Sequence, residues 1–195
     1  MTETDKSMKG SDEIINRHVG FAMVAGAIPV PVVDIAAVSA IQLDMIRNLA
    51  EHSGIDYNAE RGKSLVSTLI GSTVGSTLGR GSASVVKVVP GIGTLLGITS
   101  QVVFSGASTY ALGKVFQRHF TGEGDLFNLD IETVKKSFAQ LLAKGKKIVR
   151  ERKTKPPRED IAQTLTTLKD LMDKGVITEA EFNKTKAEIL KKFGA

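Results

Sequence analysis

Glycine-rich segments are the first place in this 195-residue chain where phosphate chemistry could be expected. The segment GSTVGSTLGRGSASVVKVVPGIGTLLG covers residues 71–97. A nucleotide-binding P-loop needs G-x-x-x-x-G-K-[ST], but the lysine after Gly113 is followed by valine. A dinucleotide-binding loop needs G-x-G-x-x-G after a strand, but the GIGTLLG motif at 91–97 is one residue too long. The spacing therefore argues against a nucleotide-phosphate site.

Side chains that often catalyse reactions or bind metals are absent or dispersed. The chain has no cysteine, which excludes thiol catalysis, disulfides and cysteine metal sites. His18, His52 and His119 lack metal-ligand spacing and are expected at the surface. Asp34 is the sole charge from residue 19 to 41, and in the first turn of a helix it would complement the helix dipole. The sequence therefore predicts no catalytic, metal-binding or cofactor-binding residue, and a protein that is not an enzyme.

The glycines recur instead at a spacing that suits helix packing. Gly71, Gly75 and Gly79 lie four residues apart, and Gly93 and Gly97 repeat that interval. Residues four apart share one helix face, and without side chains there another helix can approach closely, as in the small-xxx-small motifs of membrane helices. Tight packing inside a soluble bundle explains the spacing equally well. We predict all five as helix-packing residues in either setting.

The segment KGKKIVRERKTKPPR, residues 144–158, concentrates positive charge in a chain with a formal net charge of +5. Such a cluster attracts anionic lipid, with about 1 kcal/mol for each charge near the membrane. The predicted lipid contacts are Lys144, Lys146, Lys147, Arg150, Arg152, Lys153, Lys155 and Arg158. Nucleic acid is the weaker alternative, because no aromatic residue is interleaved to stack on bases. A solvated helix end is a further explanation.

Apolar periodicity interrupted by glycine and proline predicts an all-α protein built from small-residue-packed helical hairpins or a bundle. The predicted helices are 11–27, 31–52, 59–86, 90–120, 130–153, 158–174 and 178–193. The predicted regions are a flexible tail (1–10), an apolar Gly/Ala/Ser-rich helical domain (11–122), a basic helix and linker (123–157) and a C-terminal helical hairpin (158–195).

Two apolar stretches bear on membrane contact. A membrane-spanning helix needs about 20 apolar residues, so the stretch of residues 88–113 is long enough to span. It contains no charged residue, but Ser, Thr and Gln residues lie among its apolar ones, and it is therefore only moderately apolar. The stretch from 19 to 41 is interrupted by Pro29 and Pro31. Both insertion as hairpins and peripheral contact therefore stay open. The polar, mixed-charge N-terminus lacks the features of a signal peptide, so a cytoplasmic start is expected.

The C-terminal segment predicts a helical hairpin. Thr178 and Glu181 form a capping box at the start of its second helix. A unit of under about 40 residues rarely builds its own core, so its apolar stripes are expected to cover a second copy or a partner. The predicted oligomerisation residues are Leu168, Leu171, Ile177, Phe182, Ile189 and Leu190. A homo-oligomer is the expected state.

The segment DIAQTLTTLKDLMDKGVITEAEFNKTKAEILKKF closely resembles the SHOCT, or short C-terminal, domain. The pattern is a leucine stripe, then L-x-x-G-x-I-T-x-x-E-F, then a lysine-rich helix. The matching residues are Leu168, Leu171, Gly175, Ile177, Thr178, Glu181 and Phe182. This resemblance implies a role in oligomerisation and no enzymatic activity.

A second resemblance covers about residues 15–120. The segments AGAIPVPVVDIAAVSAIQLDMIRNLAEHSGIDY, VVPGIGTLLG and ALGKVF resemble a bacterial helical domain of unknown function. That domain is often linked to Era-like GTPases or found in membrane-associated proteins. The present chain lacks a GTPase domain, so a GTPase would act in trans.

Together these features predict a non-enzymatic, self-assembling scaffold or remodelling protein at the cytoplasmic face of the inner membrane. The expected partners are further copies of the chain and anionic lipid. The alternatives are a soluble helical module that partners a GTPase in trans and, less favoured, a nucleic-acid-binding protein.

Overall fold

The computed structural model confirms the all-α fold. It describes residues 3–27, 33–78, 93–152 and 158–193, and for 3–6, 33–35, 73–78, 93–100 and 158–160 the backbone alone. Its helices are α1 (Glu3–Ala25), α2 (Val33–His52), α3 (Ala59–Leu78), α4 (Gly93–Thr121), α5 (Ile131–Glu151), α6 (Arg158–Asp173) and α7 (Glu179–Phe193).

Local side-chain chemistry explains several helix boundaries. Asp130 is the N-cap of α5 and accepts a hydrogen bond from the Glu132 amide at 3.1 Å. The capping box predicted for α7 is present, since the Thr178 amide donates to Glu181 Oε2 at 2.7 Å and the Glu181 amide donates to Thr178 Oγ1 at 3.2 Å. Gly175 ends the preceding turn at φ +70°, a conformation that glycine adopts without steric cost.

Helix α4 lies at the centre of a five-helix bundle and packs against α1, α2, α3 and α5. Its closest partner is α5, because Gly145 lies over Ala107. A Cβ added to Gly145 would approach the Ala107 carbonyl oxygen to 2.8 Å. Phe116 of α4 and Phe138 of α5 are fully buried in the core cluster that these five helices share. The basic helix α5 is therefore held tightly in the bundle.

The predicted flexible tail is wrong for most of its length, since α1 begins at Glu3. The N-terminal part of this helix rests on the end of α2. A Cβ on Gly10 would lie 2.7 Å from His52 Cε1, and His52 Nε2 lies 3.0 Å from the Ser7 carbonyl oxygen. Ser11 is buried. Polar composition alone did not predict these tertiary contacts.

The C-terminal hairpin, α6 and α7, packs against α1 and α2 of the same chain. Leu168 and Ile189 are fully buried there, in one cluster with Phe21 of α1 and Ile41 of α2. Lys192 Nζ also donates a hydrogen bond to the Ala27 carbonyl just beyond α1.

This docking corrects the reason for assigning the hairpin residues to an interface between chains. Five of them, Leu168, Leu171, Ile177, Phe182 and Ile189, are buried within the chain. Leu190 alone of the six is exposed, at 47%. The hairpin does need a partner surface, as its size indicated, but α1 and α2 supply that surface.

The predicted glycine face does not make close contacts at Gly71. This residue is exposed on α3, and a Cβ added there would meet no atom within 4 Å. For Gly75 in α3, and for Gly93 and Gly97 in α4, the structure describes only the backbone. Gly79 lies outside the described residues. Contact of this face with another chain stays a prediction.

The apolar stretch around residues 19–41 contributes to packed helices. Phe21, Ala22 and Val24 of α1 are buried against the C-terminal hairpin and α2. Pro29, Pro31 and part of the 88–113 stretch lie outside the described residues. Within the described parts of the chain, no helix is both long enough and apolar enough to cross a membrane.

Candidate functional site

The candidate site begins with the outward face of α5. Leu141, Leu142 and Val149 point into the bundle and are buried, while Lys144, Lys147 and Arg150 are exposed on the same helix and Lys146 is half-buried. The side chains of these four cations form no ion pair or hydrogen bond with any other described residue. Their charges are therefore free to meet an external anion.

The remaining cations of the predicted lipid contact differ in position. Arg152 follows the end of α5, and its Nη2 donates to Asn16 Oδ1 of α1 at 2.9 Å, so part of its guanidinium is occupied. Arg158 is the first residue of α6, and its side chain is not described. Lys153 and Lys155 lie outside the described residues. The structure thus places five of the eight side chains, and four of these form no hydrogen bond or ion pair with another described residue.

A groove runs beside this basic face. Helices α1 and α5 both pack on α4, and the groove that they flank has a volume of about 770 Å³. Asn16 of α1, which lines this groove, accepts the hydrogen bond from Arg152 directly after α5. The groove is lined by Met8, Asp12, Ile15, Asn16, Tyr110, Lys114, Gln117, Arg118, Thr121, Gly122, Leu141, Lys144 and Ile148.

Three polar residues of the groove satisfy one another. Lys114 Nζ donates to Asp12 Oδ1 at 2.5 Å and to Gln117 Oε1 at 2.8 Å, and Gln117 Nε2 donates to Asp12 Oδ1 at 2.6 Å. Burial would raise the pKa of Asp12, but the hydrogen bonds from Lys114 and Gln117 outweigh it and lower that pKa. Asp12 therefore stays charged and neutralises Lys114.

Two further cations line the same groove without a partner. Arg118 of α4 and Lys144 of α5 are exposed, and their side chains form no hydrogen bond or ion pair with other described residues. Apolar side chains also line the groove, and two of them, Ile15 and Leu141, are buried. The groove thus combines a surplus of positive charge with an apolar wall. Lys144 was predicted from the basic run, whereas Arg118 was not, because it lies 26 residues earlier in the chain.

The expectation of surface histidines is wrong for His18. This residue is 1% exposed, its Nδ1 lies 2.8 Å from the Ile14 carbonyl oxygen, and its Nε2 lies 3.1 Å from Asp44 Oδ2. Burial would raise the pKa of Asp44, but the hydrogen bond and charge of His18 lower it. His52 is exposed, and His119 is half-buried with Nε2 2.8 Å from the Asp125 carbonyl oxygen.

A second buried polar group lies in the same bundle. Gln42 of α2 is fully buried, and its Nε2 donates to Ser108 Oγ at 3.1 Å and to Thr109 Oγ1 at 3.2 Å. Its Oε1 has no hydrogen-bond partner. These contacts tie α2 to α4 and belong to the packing of the core.

Comparison with known proteins places this bundle in a family. The family described as "Domain of unknown function (DUF697)" matches residues 6–147, from the start of α1 to near the end of α5. The chain belongs to the DUF697 family. The family resemblance inferred from the sequence is thereby confirmed, but not its link to GTPases. The matched region includes every groove residue except Ile148, and the first cations of the basic face.

The DUF697 domain is followed by a match to the Short C-terminal domain, SHOCT, over residues 163–190. The chain is also similar to a protein of Magnetospirillum gryphiswaldense described as magnetosome membrane protein 22. The two are 38% identical over 156 residues, which cover 78% of this chain and 80% of that protein. No solved structure was found to match the chain.

Proposed function

We propose that this DUF697–SHOCT chain is a non-enzymatic, membrane-associated scaffold or remodelling protein that acts at the cytoplasmic face of the inner membrane. The observation that supports this best is the arrangement of α5. Its apolar face is buried in the bundle, and Lys144, Lys147 and Arg150, which pair with no other described residue, point outwards. A rigid helix therefore presents positive charge to an external surface.

The energetics of this surface suit an anionic membrane. Each cation close to the anionic leaflet contributes about 1 kcal/mol, and unpaired side chains need not break an existing ion pair. Cations in the last turn also complement the helix dipole, which explains part of their placement without any ligand. The dipole does not account for Lys144, which lies about two turns before the helix end.

The relative from Magnetospirillum gryphiswaldense supports the same location, because it is described as a membrane protein of the magnetosome. Self-association is also part of the proposal. Five hairpin residues are buried within the chain. Self-association would therefore use exposed apolar side chains, such as Leu190 and Phe127, or an exchange of the hairpin between chains.

The test of membrane binding removes charge from α5 outside the groove. We expect the triple variant Lys146→Gln, Lys147→Gln, Arg150→Gln to bind phosphatidylserine vesicles up to about 100-fold more weakly at low salt, at about 1 kcal/mol per charge. Co-sedimentation with vesicles measures this. The loss should shrink with added salt, since the Debye length is about 10 Å at 0.1 M.

The matched control removes three exposed lysines from α7, with Lys184→Gln, Lys186→Gln and Lys191→Gln. An equal loss in both triple variants would show that binding depends on net charge and not on α5. A variant that keeps vesicle binding but loses single-stranded nucleic acid would support the nucleic-acid alternative. A wild-type chain that stays entirely soluble when cells are fractionated without detergent would support the module that partners a GTPase.

A further inference from the structure

We propose that the groove between α1 and α5 binds an individual anionic lipid, with its phosphate at Arg118 and Lys144 and its acyl chain along the apolar wall. This inference rests on the proposed membrane association and adds a specific site to it. The basic face of α5 attracts a membrane as a whole, whereas the groove would hold one molecule of it.

The polar part of the groove favours an anion. Its described lining contains three cations, Lys114, Arg118 and Lys144, and one carboxylate, Asp12. Asp12 already accepts a hydrogen bond from Lys114. Arg118 and Lys144, which pair with no other described residue, come from different helices and so can approach a ligand from two sides. An arginine with its planar set of donors, together with a lysine, suits a phosphate oxygen cluster.

The apolar part of the groove favours a lipid over a soluble anion. Met8, which is 47% exposed, and the half-buried Ile148 line it together with the cations. A free phosphate or nucleotide phosphate gains nothing from these side chains, whereas an acyl chain gains free energy as it leaves water. Tyr110 is 7% exposed, so it offers no open ring face on which a nucleic-acid base could stack.

The size of the groove agrees with this assignment. A volume of about 770 Å³ lies within the range of about 300–1,000 Å³ that small-molecule sites occupy. The groove is partly open to solvent. A head group and part of one chain can therefore enter while the remaining chain stays in the bilayer.

The groove is tested with a short-chain lipid that dissolves as monomers. Dihexanoyl phosphatidylglycerol, below its micelle concentration, is titrated into the full chain by calorimetry. We expect Arg118→Gln with Lys144→Gln to weaken binding about tenfold or more, because two charge-assisted hydrogen bonds to the phosphate are lost. The matched control, Lys184→Gln with Lys191→Gln on α7, removes the same charge away from both the groove and the basic face and should leave monomer binding within about twofold.

A second variant tests the apolar wall without changing charge. Ile148→Trp should fill part of the groove and weaken binding of the monomeric lipid. With the unaltered chain, glycerol phosphate and dihexanoyl phosphatidylcholine should both bind more weakly than the anionic lipid. Circular dichroism checks that the variant remains folded. Glycerol phosphate binding as tightly as the lipid would overturn the lipid assignment.

The outcomes separate the groove from the proposed function. If wild type binds phosphatidylserine vesicles but not the monomeric lipid, the groove proposal is wrong and membrane association stands. If wild type binds the monomer but not vesicles, the groove stands as a ligand site and membrane association fails. Equal loss of monomer binding in the groove and control double variants would also overturn the groove proposal.

Discussion

Asp44 joins α2 to α1 through a histidine that the sequence placed at the surface. Both ring nitrogens of His18 lie within hydrogen-bond distance of oxygen atoms, Nδ1 near the Ile14 carbonyl and Nε2 near Asp44 Oδ2. The Asn48 side chain also donates to Asp44 Oδ2 at 3.1 Å. Because Asp44 is 17% exposed and His18 is 1% exposed, this pair lies largely out of water.

Replacing Asp44 by asparagine should destabilise the fold in a pH-dependent way. The folded pKa of Asp44 lies below its ordinary value, so its contribution is present above the unfolded pKa of about 3.9 and is lost as the pH falls through the folded pKa. We expect Asp44→Asn to lose about 1–3 kcal/mol of unfolding free energy at pH 6. The difference from wild type should shrink towards pH 3. Urea unfolding across this pH range measures both effects.

The control for that measurement lies on the same helix. Glu51 pairs with Arg47 at 2.7 Å, but its side chain is 53% exposed. Glu51→Gln makes the same chemical change and should cost at most about 0.5 kcal/mol, as exposed helix pairs do. A pH-independent difference for Asp44→Asn would contradict the ion pair with His18.

Among the helices, glycine has two different roles that sequence spacing did not separate. On α5, Gly145 allows the backbone of α4 to approach at Ala107. On α3, Gly71 faces solvent with no neighbour within 4 Å of an added Cβ. The predicted four-residue glycine face therefore includes a position without a packing role in the single chain, and the close α4–α5 contact depends on an isolated glycine.

Alanine substitution should separate these roles. We expect Gly145→Ala to lower the free energy of unfolding by about 1–3 kcal/mol, because its Cβ would lie 2.8 Å from a backbone oxygen that can move only with α4. Gly71→Ala should raise it by up to about 1 kcal/mol, because alanine is the better helix former. Thermal and urea unfolding of both variants test this.

The outcome at Gly71 also bears on assembly. If the glycine face packs against another chain, Gly71→Ala should lower the mass in light scattering even as it stabilises the monomer. A mass that is unchanged with concentration and equal to that of wild type would remove Gly71 from such an interface. A stable, unperturbed Gly145→Ala would contradict the close approach of α4 and α5.

At the scale of the whole molecule, the SHOCT hairpin and helices α1 and α2 of the DUF697 bundle form a second apolar cluster beside the bundle core. The buried leucines of the hairpin cover small residues of α1 and α2, such as Ala22, Ala25 and Ala37. Lys192 contributes at the edge, where burial lowers the pKa of its ammonium group beside the Ala27 carbonyl. Two segments that match different families thus share one apolar cluster.

Truncating a buried leucine of the hairpin should show whether docking occurs within one chain. Leu168→Ala should cost about 2–5 kcal/mol of unfolding free energy, as buried leucine truncations do. The control Leu190→Ala, 47% exposed, should cost about 0.5 kcal/mol or less. Docking within the chain predicts a urea midpoint that is independent of protein concentration. A midpoint that rises with concentration, together with a lower mass for Leu168→Ala, would instead place the hairpin on a second chain.

The sequence by itself determined the secondary structure and the families. Helical periodicity, prolines and the Thr178–Glu181 capping box predicted the seven helices of the described residues, because these signals act over a few neighbouring residues, although α1 begins eight residues before its predicted start. The basic run also predicted the outward face of α5, since consecutive charges are expected in water. The SHOCT motif and the DUF697 resemblance were confirmed because they rest on residue patterns along the chain.

Only the tertiary structure decided which surfaces are free. It buried His18 against Asp44, 26 residues away, and it brought Arg118 to the same groove as Lys144. It also covered the hairpin leucines with α1 and α2, which the sequence had assigned to another chain. An apolar stripe shows that a partner is needed but not whether that partner lies in the same chain, because the hydrophobic effect depends on area removed from water and carries no direction.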